Sequence, residues 1–439
     1  MLDETALSST AALLLGFGGA TLDRLRSVLN VACVISDDPS ADVTWAALQN
    51  LENVPRAPGV SEERDRCLEF AKSHYWKFAD IYSRRFTYIS ETLPEVQNAF
   101  ILTFRICYEL VVTRKISLLV FSNIPHEGYD YIFYLIARYL NLKIVICHQS
   151  SITNRFFLCS DMEEFGDFAG APKLWEQEPS NYSLPTTWFY MSGTMADPTY
   201  QFSQFVQETI NNPRGALASL TKYHRAKRYR RDVLCTRSVP LAGERYVYFP
   251  LHLQPELTTS ALGGRFADQL SALELLSSMV PPDTYIYAKE NPKQTEMQRG
   301  PLFFRRLRLL SNVRLVDRTI SSIDLIKGSK AVAVITGTAG WEALFHRKPV
   351  LIFGRAWYAE FKGVTRFQYG LSFDAVVTNE PPTVEDTVAA LDALLTRAGK
   401  GIVDPDYKGS IASFDEVRNA ELVTNSILAF LSRSDRTPQ

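Results

Sequence analysis

The sequence predicts an α/β protein in which two Rossmann-like domains face each other across a cleft. Short apolar runs alternate with longer amphipathic ones along the 439-residue chain, as in repeated strand and helix units. The pattern restarts after SVPLAGE, where RYVYFPLHLQPE begins a second series. We therefore expect an N-terminal domain at residues 1–240 and a C-terminal domain at residues 241–439.

The first series begins with a predicted strand, helix and strand in ALLLGFG, ATLDRLRSVLN and VACVIS. A clearer unit follows, with a strand at 116–121, a helix at 129–140 and a parallel strand at 143–147. The loops after these strands fall at the edge where open α/β sheets bind ligands. Residues 160–215 are richer in Pro, Ser, Gly and acids, and we expect an insertion on the first domain there.

The composition is that of a globular protein that buries a large core, with 46% hydrophobic and 22% charged residues. A formal net charge of -1 gives no whole-chain argument for nucleic-acid binding. The six cysteines form no C-x-x-C pair, so neither a zinc site nor a disulfide scaffold is indicated. The N-terminus lacks a basic leader, and no apolar run approaches the roughly 20 residues that span a bilayer. We expect a cytoplasmic protein, with peripheral attachment to the inner face of the plasma membrane left open.

Three polar turns follow predicted strands of the second half. In ITGTAGWEALFH we expect the turn at residues 336–340 and a helix at 341–346. Unpaired N–H groups at a helix start bind anions, and Thr336 and Thr338 add hydroxyl donors. Gly337 and the second glycine of the turn let a ligand approach the backbone closely. Taken alone, the segment fits a capped helix with permissive glycines equally well.

The other two turns lie in FPLHLQPE and YIYAKENP, where a proline follows each strand. Each proline fixes an outward turn, which presents Gln254 and Glu256, or Lys289 and Asn291, at the ligand edge of the sheet. Prolines after strands are common, so either turn alone means little. Three polar turns on one predicted edge indicate a nucleotide site.

HLQPE, KENP, TGTAGWEAL with KPVLIFG, and the following AWY resemble motifs of the bacterial capsule and surface-polysaccharide biosynthesis proteins that include the β-Kdo transferases. The resemblance is strongest from Tyr246 to Val364. It implies a GT-B fold, CMP-β-Kdo as donor, and a nucleotide bound mainly by the C-terminal domain. The family's second motif usually reads K-x-H-P, whereas Asn291 stands here in place of the histidine and cannot supply a positive charge.

The resemblance also implies roles for individual residues around the donor. Lys289 would face the phosphate or the sugar carboxylate, and Glu342 would orient the glycine turn or contact a ribose hydroxyl. The residues that would line the nucleotide and phosphate positions are Gln254, Pro255, Glu256, Asn291, Thr336, Gly337 and Thr338.

The family retains the anomeric configuration, and its Kdo transferases are thought to pass through a covalent adduct on an aspartate. No motif assigns that carboxylate here. Asp232 is one candidate, because neighbouring Arg230 and Arg231 would keep it ionised; a surface ion pair is the alternative. His126 and Glu127 follow a strand in SNIPHEG, and we expect them to activate the acceptor hydroxyl.

A basic run carries six Lys or Arg between Lys222 and Arg231. It is either a solvated helix face or a patch that faces an anionic donor, an anionic acceptor or a membrane surface.

No metal or cofactor is expected, because Lys289, helix N–H groups and Thr hydroxyls can balance the single phosphate of a CMP-sugar. The expected partners are the CMP-sugar, a glycan or lipid-linked glycan acceptor, and membrane or polysaccharide-assembly proteins, without nucleic acid. The expected product is capsule or lipopolysaccharide O-antigen. Two other functions stay open: a CDP-polyol phosphotransferase of the teichoic-acid type, and a non-catalytic GT-B partner protein.

Overall fold

The structure is a computed structural model in which the chain divides into two units. The first unit comprises residues 1–179 and 391–439, and the second comprises residues 180–390. Each unit contains one six-stranded sheet. The residues that the structure describes are 10–52, 61–84, 92–185, 200–238, 241–296, 299–411 and 413–434.

The sheet of the first unit has the order β12-β5-β4-β3-β1-β2. Strands β1 to β4 run parallel to one another, whereas β5 and β12 are antiparallel to their neighbours. Every side chain of β1 and β3 is buried, as expected for strands covered by helices on both faces. The strands are β1 Ala12–Leu15, β2 Val31–Ile35, β3 Leu118–Phe121, β4 Lys143–Gln149, β5 Arg155–Cys159 and β12 Gly399–Lys400.

Helices connect and cover these strands. The C-terminal helix α15 packs on α1, and its Val423 and Ile427 lie in one core with Leu22 and Leu25 of α1. Within the described residues, no helix of the chain is both long and apolar enough to cross a bilayer. The helices of this unit are α1 Gly19–Val28, α2 Trp45–Gln49, α3 Glu62–Lys72, α4 Tyr75–Tyr82, α5 Leu93–Thr113, α6 Tyr129–Tyr139 and α15 Glu416–Ser434.

The sheet of the second unit is entirely parallel and has the order β11-β10-β9-β6-β7-β8. Its strands are β6 Arg245–Pro250, β7 Thr284–Lys289, β8 Val313–Val316, β9 Ala331–Val334, β10 Val350–Ile352 and β11 Val364–Arg366. Its helices are α7 Phe202–Asn211, α8 Ala216–Thr236, α9 Gln269–Met279, α10 Pro301–Leu307, α11 Ser322–Gly328, α12 Thr338–Phe345 and α13 Phe373–Val377, and α14 Val384–Leu395 leads back to the first unit.

The predicted fold class is confirmed. Both units alternate strands with helices around a mainly or wholly parallel sheet, and two such Rossmann-like domains are what the GT-B class requires. The predicted strand at 116–121, helix at 129–140 and strand at 143–147 correspond to β3, α6 and β4. One boundary differs at the glycine turn, because α12 begins at Thr338, three residues before the predicted helix start.

The units divide the chain at other points than the predicted boundary after residue 240. Helices α7 and α8 precede that boundary but belong to the second unit, where Tyr229 of α8 joins a core with Val247 and Leu315. The chain then returns, so that residues 391–439 complete the first unit. The predicted insertion at 160–215 is likewise shared between the units. Packing between segments that are far apart in the chain cannot be predicted from local sequence patterns.

The return of α15 to the first unit predicts that this helix stabilises the N-terminal sheet. Ile427 is fully buried, so Ile427→Ala should lower the free energy of unfolding by about 2–5 kcal/mol through lost burial and a cavity. Val417 on the same helix is 66% exposed, so Val417→Ala is the matched control and should change it by less than about 0.5 kcal/mol. Urea denaturation measures both, and equal effects would contradict this packing.

Candidate functional site

Three polar turns lie at one edge of the second sheet. They follow β6, β7 and β9, which are neighbours in the order β9-β6-β7 and run parallel. The carboxyl ends of these strands therefore point the same way. We name them the HLQPE turn (252–256), the KENP turn (289–292) and the glycine turn (336–340). Their shared edge is the one where doubly wound sheets bind ligands.

A buried arginine joins the first two turns. The Arg299 side chain is 0% exposed, and its Nε donates to Glu290 Oε2 of the KENP turn at 3.0 Å. Its other nitrogens donate to the HLQPE turn, at 2.7 Å to Gln254 Oε1 and 3.1 Å to the carbonyl of His252. Because the fork is planar and rigid, these bonds fix the spacing of the two turns. Arg299 was not predicted from the sequence.

Gln254 is held on all sides within this network. Its side-chain oxygen also accepts from Gln269 Nε2 at 2.8 Å, and its Nε2 donates to the carbonyl of Ala267. Its backbone N–H donates to Gln294 Oε1 at 2.9 Å, and its carbonyl accepts from Gln294 Nε2 at 3.0 Å. Both lone pairs of the side-chain oxygen are therefore used by protein donors, and one Nε2 hydrogen is engaged. Gln254 shapes the HLQPE turn, and a ligand contact to its side-chain oxygen would require it to give up one of these bonds.

His252 joins the HLQPE turn to the glycine turn. A Cβ on Gly337 would lie 2.8 Å from His252 Cε1, so the imidazole occupies the space beside the glycine. In the same way, the Tyr358 hydroxyl fills the space beside Gly340 and donates to the Gly337 carbonyl. The expectation that a ligand approaches the backbone of these glycines stays a prediction, and on the side where a Cβ would lie the space is filled by protein. The glycines leave room there for protein side chains that hold the turn.

The glycine turn runs into the first residues of α12. Gly337 is the N-cap of this helix and, having no side chain, makes no side-chain cap. Thr338 is the first helical residue. Thr336 is 8% exposed, and its hydroxyl donates to the Thr258 carbonyl at 2.9 Å. Thr336 therefore anchors the turn to the loop after the HLQPE turn, while its oxygen can still accept a hydrogen bond.

Lys289 begins the KENP turn and is 9% exposed. Its ammonium donates to the Ile320 carbonyl at 2.5 Å and to Ser322 Oγ at 2.9 Å. Burial lowers the pKa of Lys289, and the carboxylates of Asp317 and Glu342 oppose that shift. Glu342 of α12 thus acts electrostatically on Lys289, which places the predicted residues of two turns in one neighbourhood.

The remaining predicted donor residues shape their turns. Asn291 Oδ1 accepts from the Lys293 N–H at 2.9 Å, which leaves its Nδ2 group as the part that can bind a ligand. The Glu256 carboxylate accepts from the Leu257 N–H at 3.1 Å, at the start of a π-helical turn over Leu257–Ala261. Pro255 lies between Gln254 and Glu256 and is joined to Gln254 by a cis peptide bond.

A cavity of about 290 Å³ opens beside the KENP turn, near the small end of the usual range for ligand pockets. Glu290 forms part of its wall, and residues of α8 and its C-terminal end, of β8 and of the two positions after β8 form the rest. The other lining residues are Tyr229, Arg230, Val233, Leu234, Arg237, Leu315, Val316, Asp317 and Arg318.

In the first unit, His126 and Glu127 lie in the loop that follows β3. His126 Nδ1 is 2.5 Å from the Ile124 carbonyl, which requires the proton on Nδ1. Its Nε2 is 3.3 Å from Glu127 Oε1, and Arg84 donates to the same oxygen at 3.1 Å. Burial, and then the charge of Arg84, lower the pKa of His126 to about 4. A neutral imidazole therefore presents its Nε2 beside a carboxylate.

Asp130 organises this loop. Its carboxylate accepts the backbone N–H groups of His126 at 2.7 Å, Glu127 at 2.8 Å and Tyr131 at 2.7 Å. Burial raises the pKa of Asp130 to about 7, with a further rise from the charge of Glu127. His148 lies beneath the loop, with its Nδ1 at 2.8 Å from Asn123 Oδ1. Both predicted catalytic residues of this loop are thus held by a buried carboxylate.

Asp232 has a different environment from the predicted one. It lies on α8 in the second unit, is 8% exposed, and its Oδ2 is 3.9 Å from Arg228 Nε one helical turn away. Arg230 instead donates to the Tyr200 carbonyl at 3.1 Å. The reason is helical geometry, because residues four apart share a face and adjacent residues do not.

The structure thus groups the predicted donor residues at one sheet edge, and it puts His126 and Glu127 in the other unit. Sequence reasoning missed Arg299, the imidazole of His252 and Ser322. The histidine that begins HLQPE could have been predicted as a site residue from the motif, whereas an arginine outside the KENP motif could not. Within the described residues, no group of three or more His, Cys, Asp or Glu side chains could hold a metal ion.

Comparison with known proteins gives a family match over residues 196–398, to the model described as capsule polysaccharide biosynthesis protein. The Escherichia coli capsule polysaccharide export protein KpsS is 35% identical over 96 residues, which cover 20% of this chain and 23% of KpsS. The chain therefore matches about a quarter of the length of that curated relative.

Among solved structures, similarity is found to the β-Kdo 2,7 transferase of Thermosulfurimonas dismutans KpsC, with 13% identity and a TM-score of 0.30 over 73% of this chain and 96% of that one. The UDP-GlcNAc 2-epimerase of Methanocaldococcus jannaschii has 10% identity and a TM-score of 0.25, over 97% and 99% of the two chains.

The family match covers the HLQPE, KENP and glycine turns together with the helices before them. Residues 196–398 are therefore similar to the bacterial capsule polysaccharide biosynthesis proteins whose motifs the sequence resembles.

Proposed function

We propose that this protein is a glycosyltransferase that moves Kdo or a related ulosonic acid from a CMP-sugar to a glycan or lipid-linked glycan. Its product would be a capsule polysaccharide or a lipopolysaccharide O-antigen. The proposal includes a cytoplasmic location, a retaining reaction, and a CMP-sugar donor in place of any cofactor. The observation that carries it is the joining of three polar turns at one sheet edge through Arg299 and His252.

The donor half of the proposal rests on the charges around the glycine turn. A CMP-sugar has one phosphate and an ulosonic acid adds a carboxylate, so the site must stabilise two negative groups. The start of α12 offers the N-terminal end of the helix dipole and the Thr338 hydroxyl. The Lys289 ammonium, held by Ser322 and the Ile320 carbonyl, offers a fixed positive charge. These groups would stabilise the CMP leaving group without a divalent ion.

The acceptor half rests on the loop after β3. A hydroxyl nucleophile must lose its proton as it attacks, and a base within hydrogen-bond reach accelerates that step. His126 Nε2 and Glu127 Oε1, which lie 3.3 Å apart, would share the proton. The nucleophile of a double displacement is a separate carboxylate. Asp232 remains the candidate for that role.

Donor screening distinguishes the proposed function from its alternatives. We expect CMP-Kdo to raise the melting temperature and to be consumed with a glycan acceptor, giving a product that keeps the anomeric configuration. A shift with CDP-glycerol or CDP-ribitol alone would favour the polyol phosphotransferase. Binding of CMP-Kdo without transfer to any acceptor would favour the non-catalytic partner.

Thr338→Val should weaken CMP binding about tenfold or more, because a hydrogen bond to a charged phosphate contributes about 1.5–3 kcal/mol. Thr338→Ser keeps the hydroxyl and is the matched control, with an expected change of less than about threefold. Isothermal titration with CMP measures both affinities. Equal affinity of the wild type and the valine variant would remove the phosphate role of this hydroxyl.

The pKa of about 7 for Asp130 predicts that kcat/KM decreases at acid pH, a decrease that forms the acid limb of the pH profile. Protonation below pH 7 removes one acceptor from the three N–H bonds that hold His126 and Glu127, so kcat/KM should fall as the pH falls from 8 to 6. Asp130→Asn should lower kcat/KM and abolish this limb. His126→Gln should lower kcat/KM but keep the limb, because His126 titrates near pH 4. A limb lost in the His126 variant and kept in the Asp130 variant would contradict this assignment.

A further inference from the structure

Helices α7 and α8 form a two-helix hairpin with an unusual surface. The ring of Tyr223 on α8 packs against Phe202 and Phe205 of α7, with centroids 5.6 and 5.7 Å apart. Glu208 of α7 accepts from Ser219 Oγ at 3.1 Å. The two helices are therefore joined along their length by contacts on their facing sides. Helical spacing then indicates which side chains lie on the outer faces of the two helices.

The outer face of α7 is apolar and exposed. Phe202, Val206 and Ile210 recur every four residues and are 58%, 38% and 72% exposed. Because Phe202 touches Tyr223, this stripe continues onto α8, where Leu220 is also exposed. Of the fourteen large apolar side chains that are exposed in the described residues, six belong to this hairpin. They are Phe202, Val206, Ile210, Leu217, Leu220 and Leu234.

The same face of α8 is basic further along. Leu220, His224, Lys227, Arg231 and Leu234 recur every three or four residues, and all five are exposed. The residues on the opposite side, Ala226 and Tyr229 among them, are buried in the second unit. Apolar and cationic side chains thus occupy one continuous face, which we name the hairpin face. It is defined by Phe202, Val206, Ile210, Leu220, Lys227 and Arg231.

The charge of the hairpin is strongly positive although the chain as a whole is not. Residues 201–237 contain eight Lys or Arg and only two acids, against a formal net charge of -1 for all 439 residues. Both acids are already paired, Glu208 with Lys222 at 3.3 Å and Asp232 with Arg228 at 3.9 Å. The hairpin is therefore complementary to an anionic surface.

A solvated helix face explains the basic residues but not the exposed stripe beside them. Nucleic acid would use the cations and leave Val206, Ile210 and Leu220 without partners. Protein interfaces are depleted of lysine but enriched in arginine, and the hairpin has only Lys222 and Lys227 among its eight cations, so a protein partner is an outcome that the test below must separate. Apolar side chains flanked by Lys and Arg are what a helix needs to lie in the headgroup region of an anionic bilayer.

We propose that the hairpin face docks on an anionic lipid surface, with Phe202, Val206 and Ile210 entering the headgroup region and Lys227 and Arg231 contacting lipid phosphates. Docking would hold the second unit at the membrane and would anchor the protein without a spanning helix. The proposal is independent of the donor chemistry, so lipid binding and sugar transfer can fail separately.

Co-sedimentation of the full chain with vesicles tests this docking. We expect binding to vesicles of phosphatidylcholine mixed with phosphatidylglycerol, weaker binding as salt is added, and little binding to phosphatidylcholine alone. Ile210→Glu combined with Val206→Glu should weaken binding more than tenfold by removing the apolar contact. Lys227→Glu combined with Arg231→Glu should weaken it by a similar factor and reduce its salt dependence.

Leu302→Glu on α10 is the matched control, because Leu302 is 69% exposed and lies outside the hairpin face. It should bind the mixed vesicles as the wild type does. All variants should keep the wild-type melting temperature, and those at Val206, Ile210 and Leu302 should transfer sugar to a water-soluble acceptor at the wild-type rate. Absence of wild-type binding to the mixed vesicles would overturn the proposal, as would equal losses in the control. A wild-type dimer that the Ile210 and Val206 changes dissociate, without any lipid binding, would assign the face to self-association instead.

Discussion

The buried guanidinium of Arg299 is the interaction on which the candidate site depends. A buried charge is costly unless its donors find acceptors, and Arg299 donates to a carboxylate, an amide oxygen and a backbone carbonyl. Those acceptors come from two turns that are separated in sequence. If the guanidinium were removed, Glu290 would remain buried without its partner, and nothing would fix the HLQPE turn against the KENP turn.

The parallel sheet determines where the turns lie, and individual side-chain contacts determine how they pack against each other. Adjacent strands β9, β6 and β7 bring the turns to one edge. His252 then packs on Gly337, and Tyr358 bonds to the carbonyl of the same residue. Because these contacts fill the space beside the glycines, the turn is already held without ligand. Such preorganisation is what stabilisation of a leaving group requires.

Much of the fold can be predicted from local patterns in the sequence, because hydrophobic periodicity and turn residues each involve only a few neighbouring positions. The strand and helix units around Lys289 and Thr338 could be predicted in this way. The assignment of α8 and α15 to units could not, since it depends on packing between distant segments. For the same reason, the sequence could not show that the side-chain oxygen of Gln254, a predicted ligand contact, accepts from Gln269 and Arg299.

Hydrogen exchange of the protein with and without CMP tests most directly that the three turns act as one nucleotide site. The account predicts that CMP slows exchange together in the HLQPE, KENP and glycine turns of the wild type. In Arg299→Met the protection of the first two turns should be lost, while the control Arg306→Met, on the exposed side of α10, should keep it. Protection confined to one turn, or unchanged protection in the Arg299 variant, would contradict the account.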